Sequence, residues 1–209
     1  MTNSDISLSF SPIRTLNGLA QADVVAKAHG WGLKVDPLDR EQYERLKGGF
    51  RRYRDLLICK CLRGTGLRIA ELMRLQPEQI VRDGADVAIL IKRGKTFPPV
   101  WETQFLPPQL AMELQDYVRG NHCLPGEQIF KVTTRQVQRS FAEAGRAAIG
   151  RDVHPHEMRH LYIKTLLEAG LPVEVAAKMV GHKDPRTTFR VYYNLTAQQR
   201  AEITKRMPM

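Results

Sequence analysis

One β-branched run, residues 87–91 (VAILI), stands in a chain that otherwise repeats its apolar residues at helical spacing. A basic turn with Lys92, Arg93, Gly94 and Lys95 follows it, and then PPVWETQFL. A short apolar run, a turn and a second half-apolar run predict a β-hairpin or small sheet. Everything around it reads as helix. Tyr53, Leu56, Leu57, Ile58 and Cys61 give a wide apolar face that stops at Gly64-Thr65-Gly66. Ile69, Leu72 and Leu75 start another helix, ended by Pro77. Pro107-Pro108 opens the next, with Leu110, Leu114, Tyr117 and Val118 on its face. Thr133 followed by Gln136 is a capping box ahead of Val137, Phe141, Ala144 and Ala148. Met158, Leu161, Tyr162, Thr165 and Ala169 make a further stripe closed by Gly170. Pro172 starts the last clear helix, which Gly181 stops. The fold class is therefore mainly α with a small antiparallel β-sheet (α+β).

Residues 1–38 mix Ser, Asn, Gly and Pro with short apolar groups and hold no sustained period. We read them as an N-terminal arm or partner-binding extension, residues 39–209 as the main domain, and 196–209 as a polar, helix-like tail. No run approaches the length of about 20 apolar residues that a membrane span needs. The start, MTNSDISLSF, lacks the basic patch and apolar core of a secretory signal. A cytoplasmic protein without a membrane partner is expected.

The chain carries 32 basic and 22 acidic residues, a net charge of +10, which points to an anionic partner and first to nucleic acid. Cys59 and Cys61 fall within LLICKCLRG, an apolar helical pattern, and read as buried thiols. Together with Cys123 they make neither a disulfide framework nor a zinc-finger spacing.

Three separated stretches hold chemistry. Arg68 in TGLRIAEL follows a glycine turn and precedes an apolar helical run, a place that suits an anion; it could equally be a partner for Glu71. His156 and Arg159 in HPHEMRH are three apart and share a helix face, putting a proton-transfer group beside a phosphate clamp. His160 is read as pointing elsewhere; its i, i+4 spacing from His156 would allow a metal pair, but no metal is assigned. His182 in GHKDPRTTFRVYYN follows a helix-ending glycine, where it could bond an anion or simply cap the helix. Tyr192 and Tyr193 close that stretch. A phenol becomes a nucleophile only when a base and a positive field help it. Arginine stays charged at any working pH, so two of them can do charge work that a metal would otherwise do.

Taken together these stretches resemble the tyrosine recombinase/integrase family, whose members include Xer-type recombinases, phage integrases and short invertases. TGLRIAEL looks like the box with the family's first arginine. The run from VTTRQVQRS through HPHEMRH to MVGHKDPRTT is similar to its HxxR box, connecting helices and Gly-His box, and YYNLT to its tyrosine box. The resemblance implies the tyrosine recombinase catalytic-domain fold over roughly residues 40–200. It implies site-specific cutting and rejoining of double-stranded DNA through a 3′-phosphotyrosyl bond, without a cofactor, metal or ATP.

It further implies catalytic roles for Arg68, Lys95, His156, Arg159, His182 and Tyr192, with Glu71 in support. Lys92 is the alternative to Lys95. Val191 stands where the family's spacing would put the tyrosine, so Tyr193 is the alternative to Tyr192. The family also implies self-association to a dimer or tetramer on DNA, through a C-terminal segment, and an association with the nucleoid. The separate N-terminal DNA-clamping domain of longer members has no counterpart in residues 1–38, so a short form is expected. Two other activities fit the same pattern: a recombinase-like DNA-binding accessory protein without strand exchange, and a one-strand nicking-closing enzyme.

Overall fold

The structure, a computed structural model, describes residues 38–93 and 100–182. The expected arm, Lys95, Tyr192, Tyr193 and the tail lie outside the described residues.

Helix α1 spans Arg40–Gly49 and starts at Asp39, whose carboxylate accepts the Gln42 N–H at 2.7 Å while the Gln42 side chain accepts the Asp39 N–H at 3.2 Å. Helix α2, Tyr53–Thr65, is the centre of the core: Leu57, Ile58, Cys59, Cys61 and Leu62 are all buried. Both cysteines are free thiols as expected, and burial pushes each thiol's pKa well up, which suppresses thiolate reactivity.

Helix α3 is a single turn, Ile69–Leu72, and not the longer helix expected up to Pro77. Pro77 holds Gln76 in an extended conformation (φ −115°, ψ 152°). The buried Leu75 instead offers its carbonyl to the Ile129 N–H at 2.9 Å, a tertiary bond invisible in the sequence.

The sheet has three antiparallel strands in the order β1-β2-β3: Ile80–Asp83, Asp86–Arg93 and Val100–Phe105. The expected hairpin is β2–β3. Strand β1 adds to it by pairing Ile80 with Ile89 and Asp83 with Asp86 across a turn in which Gly84 takes φ +62°. Four residues ending in Arg82 and Asp83 give too little alternation to announce a strand. Ile89, Ile91, Gln104 and Leu106 are buried, while Trp101 and Phe105 are about half exposed.

Helix α4 (Pro108–Gly120) buries Leu110, Ala111 and Leu114. Helix α5 (Thr134–Ile149) begins at the expected Thr133 cap and buries Val137, Phe141, Ala144 and Gly145. Helices α6 (Pro155–Glu168) and α7 (Val173–Val180) follow. In α6 the buried stripe is Met158, Leu161, Tyr162 and Ile163, whereas Thr165 and Ala169 face solvent. Among the described residues, α1 packs on α5 and α2 packs on α6, with one shared core. No helix among the described residues is long and apolar enough to cross a membrane.

Candidate functional site

Two of the helix-ending glycines with positive φ frame the site: Gly66 (φ +66°) after α2 and Gly181 (φ +68°) after α7. Glycine reaches that conformation without a Cβ penalty. At α7 the Gly181 N–H bonds the Lys178 carbonyl and the His182 N–H bonds the Ala177 carbonyl, both at 2.9 Å. This pair of bonds is a Schellman motif, and it fixes where His182 leaves the helix.

Arg159, on the first turns of α6, is 1% exposed. Its Nη1 donates to the Gly66 carbonyl at 2.5 Å and its Nη2 to the Val180 carbonyl at 2.6 Å. Arg68 leaves the α2–α3 turn on the other side. Its Nη2 donates to the Gly181 carbonyl at 3.1 Å and its Nη1 to Glu71 Oε1 at 2.9 Å. The second Glu71 oxygen accepts the Arg68 N–H at 2.7 Å. Three guanidinium–carbonyl bonds thus tie together the three stretches singled out in the sequence. Such bonds suit arginine because its planar fork offers donors in several directions at once.

Arg68 does pair with Glu71, and its side chain is still 45% exposed. The helix it precedes is only one turn long, so the helix-start argument for anion binding at Arg68 carries little weight; the charge of the guanidinium carries more.

His156 lies on the same helix face as Arg159, with an edge open to solvent. Desolvation, then the charges of Arg159 and Arg68, hold its pKa below the ordinary histidine value. A neutral imidazole is therefore the resting form at pH 7, and a neutral imidazole can accept a proton.

His160 does not point elsewhere, as expected, but stacks edge-on against His156, with ring centroids 4.5 Å apart and planes at 88°. One helical turn separates residues i and i+4, so the two rings meet. Burial first, and then His156 and Arg159, lower its pKa to about 4; Glu157 opposes the shift and His182 adds to it.

The stretch His156-Glu157-Met158-Arg159-His160 also spells the H-E-x-x-H pattern of zinc proteases, with Glu157 in the position of the glutamate. The Glu157 carboxylate is already engaged: it accepts the His154 N–H and an Arg151 N–H, each at 2.8 Å. Among the described residues no group of three or more His, Cys, Asp or Glu could hold a metal ion.

Arg68, His156, Arg159 and His182 thus come together from three elements. Lys92 is exposed near the end of β2, opposite Trp101 of β3. Two residues not singled out for chemistry in the sequence also belong here. Tyr162 lies against Gly66 so closely that an added Cβ would sit 2.3 Å from its ring, and Gln104 of β3 donates to the Tyr162 hydroxyl at 3.2 Å. The spacing of three from Arg159 was the available signal for Tyr162; nothing in the sequence marked Gln104.

A mainly helical body, a three-stranded sheet and a cradle of two arginines and three histidines define a class of protein that can hold an anion and move a proton beside it. The chain matches the phage integrase family over residues 37–199 and belongs to that family, the tyrosine recombinases. It is 30% identical over 175 residues to the tyrosine recombinase XerC of Pseudomonas syringae pv. tomato, covering 79% of this chain and 58% of the relative. It therefore spans less than two thirds of that relative's length.

Solved structures of recombinases share its fold, XerA and XerH among them. The XerA recombinase aligns with TM-score 0.65 at 21% identity, over 82% of this chain and 65% of that one. The XerH site-specific recombinase bound to a palindromic difH substrate, in a post-cleavage complex, aligns with TM-score 0.68 at 17% identity, over 85% and 56%. The fold is the tyrosine recombinase catalytic-domain fold.

Proposed function

We propose that this chain cuts and rejoins double-stranded DNA at specific sites through a 3′-phosphotyrosyl intermediate. The observation that carries the reading is the convergence of Arg68, His156, Arg159 and His182, held by guanidinium–carbonyl bonds between three sequence-distant turns. In this reading Arg68, the accessible guanidinium, meets the scissile phosphate first. Arg159 is buried as described, so its remaining N–H groups reach a phosphate oxygen only after a local opening. The two guanidiniums neutralise charge that builds on the non-bridging oxygens in the transition state.

The phenol of Tyr192, or of its neighbour Tyr193, attacks phosphorus, and neutral His156 takes the phenolic proton. His182 bonds a phosphate oxygen. The P–O bond to the 5′ oxygen breaks, and Lys95, or Lys92, gives that oxygen its proton. One phosphodiester is exchanged for another, so a 5′-hydroxyl from a second strand can reverse the step without ATP. No metal or cofactor has a role in this scheme.

Two further assignments go with it. Residues 39–209 form the catalytic domain and residues 1–38 an arm, with assembly to a dimer or tetramer on DNA through the tail 196–209. The protein would work in the cytoplasm, at the nucleoid, where its substrate is. Removing residues 197–209 should weaken assembly and slow strand exchange in sizing and recombination assays.

Covalent trapping tests the reading. Wild type, Tyr192→Phe and Tyr193→Phe are incubated with nicked duplexes captured from a random-sequence pool and run on a denaturing gel. An adduct lost in one variant names the nucleophile. Gel shifts without adducts from any protein would reduce the chain to a DNA-binding accessory factor. DNA binding itself should weaken steeply with salt, with a log–log slope near about −0.9 per phosphate neutralised.

A further inference from the structure

Gln104 and Tyr162 form a polar contact in an otherwise apolar place, 7% and 8% exposed. A neutral hydrogen bond of this kind adds only about 1 kcal/mol over its hydrated alternative, so stability alone is a weak reason for it. Its position is more informative. Gln104 lies on β3, opposite Ile89 of β2, the strand that carries Lys92, and Lys95 falls between the two strands in the sequence. A slip of one residue would turn Thr103 or Phe105 toward α6 in place of Gln104, so the bond to Tyr162 specifies the register of the strand.

Tyr162 sits three residues after Arg159 on α6, and its ring presses on Gly66, whose carbonyl holds Arg159. A single buried chain of contacts therefore runs from strand β3 through the Gln104 amide and the Tyr162 ring to the Gly66 turn and Arg159.

We propose that Gln104 and Tyr162 are positioning residues that lock the lysine hairpin to the arginine cradle, so that proton donation to the leaving oxygen is aligned with the phosphate clamp. This rests on the proposed function, and the test separates the two. Tyr162→Phe keeps the ring on Gly66 and removes the acceptor; Gln104→Leu removes the donor; the pair of changes completes a cycle. Each full-length protein reacts with the trapped duplex in two forms, one with the ordinary 5′ oxygen at the scissile bond and one with sulfur there. A thiol has a pKa of about 8.5, far below that of an alcohol, so the sulfur form leaves without a donated proton.

The expected result is adduct formation slowed about tenfold or more on the oxygen duplex, a part or all of the factor of about 10²–10⁴ that a general acid supplies. The sulfur duplex should react within about threefold of wild type, and the double variant should be no slower than either single one. Equal slowing on both duplexes, or no slowing, overturns the proposal. If wild type forms no adduct with any duplex, the proposed function falls and amide hydrogen exchange decides the link. Faster exchange in 86–93 and 100–105 of Tyr162→Phe, at an unchanged melting temperature, supports it; unchanged exchange overturns it.

Discussion

Glycine serves two helix junctions in this protein, and the two use it differently. Where α1 meets α5, an added Cβ on Gly49 would lie 2.5 Å from the Ala144 carbonyl oxygen, and Phe50 stacks edge-on on Phe141 at 5.0 Å. There the missing side chain permits close packing and nothing more. Where α2 and α7 meet α6, Gly66 and Gly181 have positive φ and sit beside carbonyls that accept from arginine. The first region holds the fold. The second uses the fold's own backbone to hold charge, which makes it vulnerable in a way the first is not.

The sharpest way to break the contrast is at the glycines themselves. Gly66→Ala combines a strained backbone with a collision against the Tyr162 ring. It should cost about 1–3 kcal/mol of stability for the backbone conformation alone and abolish adducts in the soluble fraction. Gly49→Ala should also destabilise, by about 1–3 kcal/mol, yet leave the adduct yield per folded molecule unchanged. Urea unfolding and trapping on the same samples read both effects, and equal loss of adducts in the two variants would erase the distinction.

The two arginines sharpen it. Arg159→Ala strands two carbonyls inside the protein and should cost about 1–3 kcal/mol for each left unsatisfied. Arg68→Ala removes a half-exposed guanidinium from Glu71 and from the Gly181 carbonyl and should change stability by about 1 kcal/mol while eliminating adducts. Similar melting temperatures for the two variants would contradict the burial difference.

A smaller effect is expected with pH. The His160 pKa is lowered to about 4 in the folded state, so between that value and the ordinary 6.5 the unfolded chain binds more protons. Its contribution is complete above about 6.5 and is lost as pH falls toward 4. The stability gap between wild type and His160→Gln should therefore narrow across that window in urea titrations. The smallest change belongs to the packing side. Thr133→Ala removes the α5 cap and should cost about 1 kcal/mol with no effect on trapping.

The helices were legible because their signals are local. Thr133 and Gln136 close their capping box within four residues, and the stops at Gly66, Gly170 and Gly181 all have positive φ. Strand β1 and the early end of α3 were not legible, because a partner strand and the Ile129 N–H decide them. In the site, residue type and spacing singled out Arg68, His156, Arg159 and His182 as candidates, and their expected roles came from the family resemblance. His160 was misread because the same i, i+4 spacing that suggested a metal pair also places one ring on the other.

By itself the sequence determined the helical body, the hairpin and the basic charge, and it offered four of the five cradle residues as candidates, since periodicity, turn chemistry and side-chain type are properties of short stretches. Only the tertiary structure decided which backbone carbonyls the arginines hold, that Arg159 is buried while Arg68 is open, and that Gln104 reaches Tyr162. Those bonds join residues 21 to 113 positions apart, where one-dimensional spacing carries no information and packing alone selects the partner.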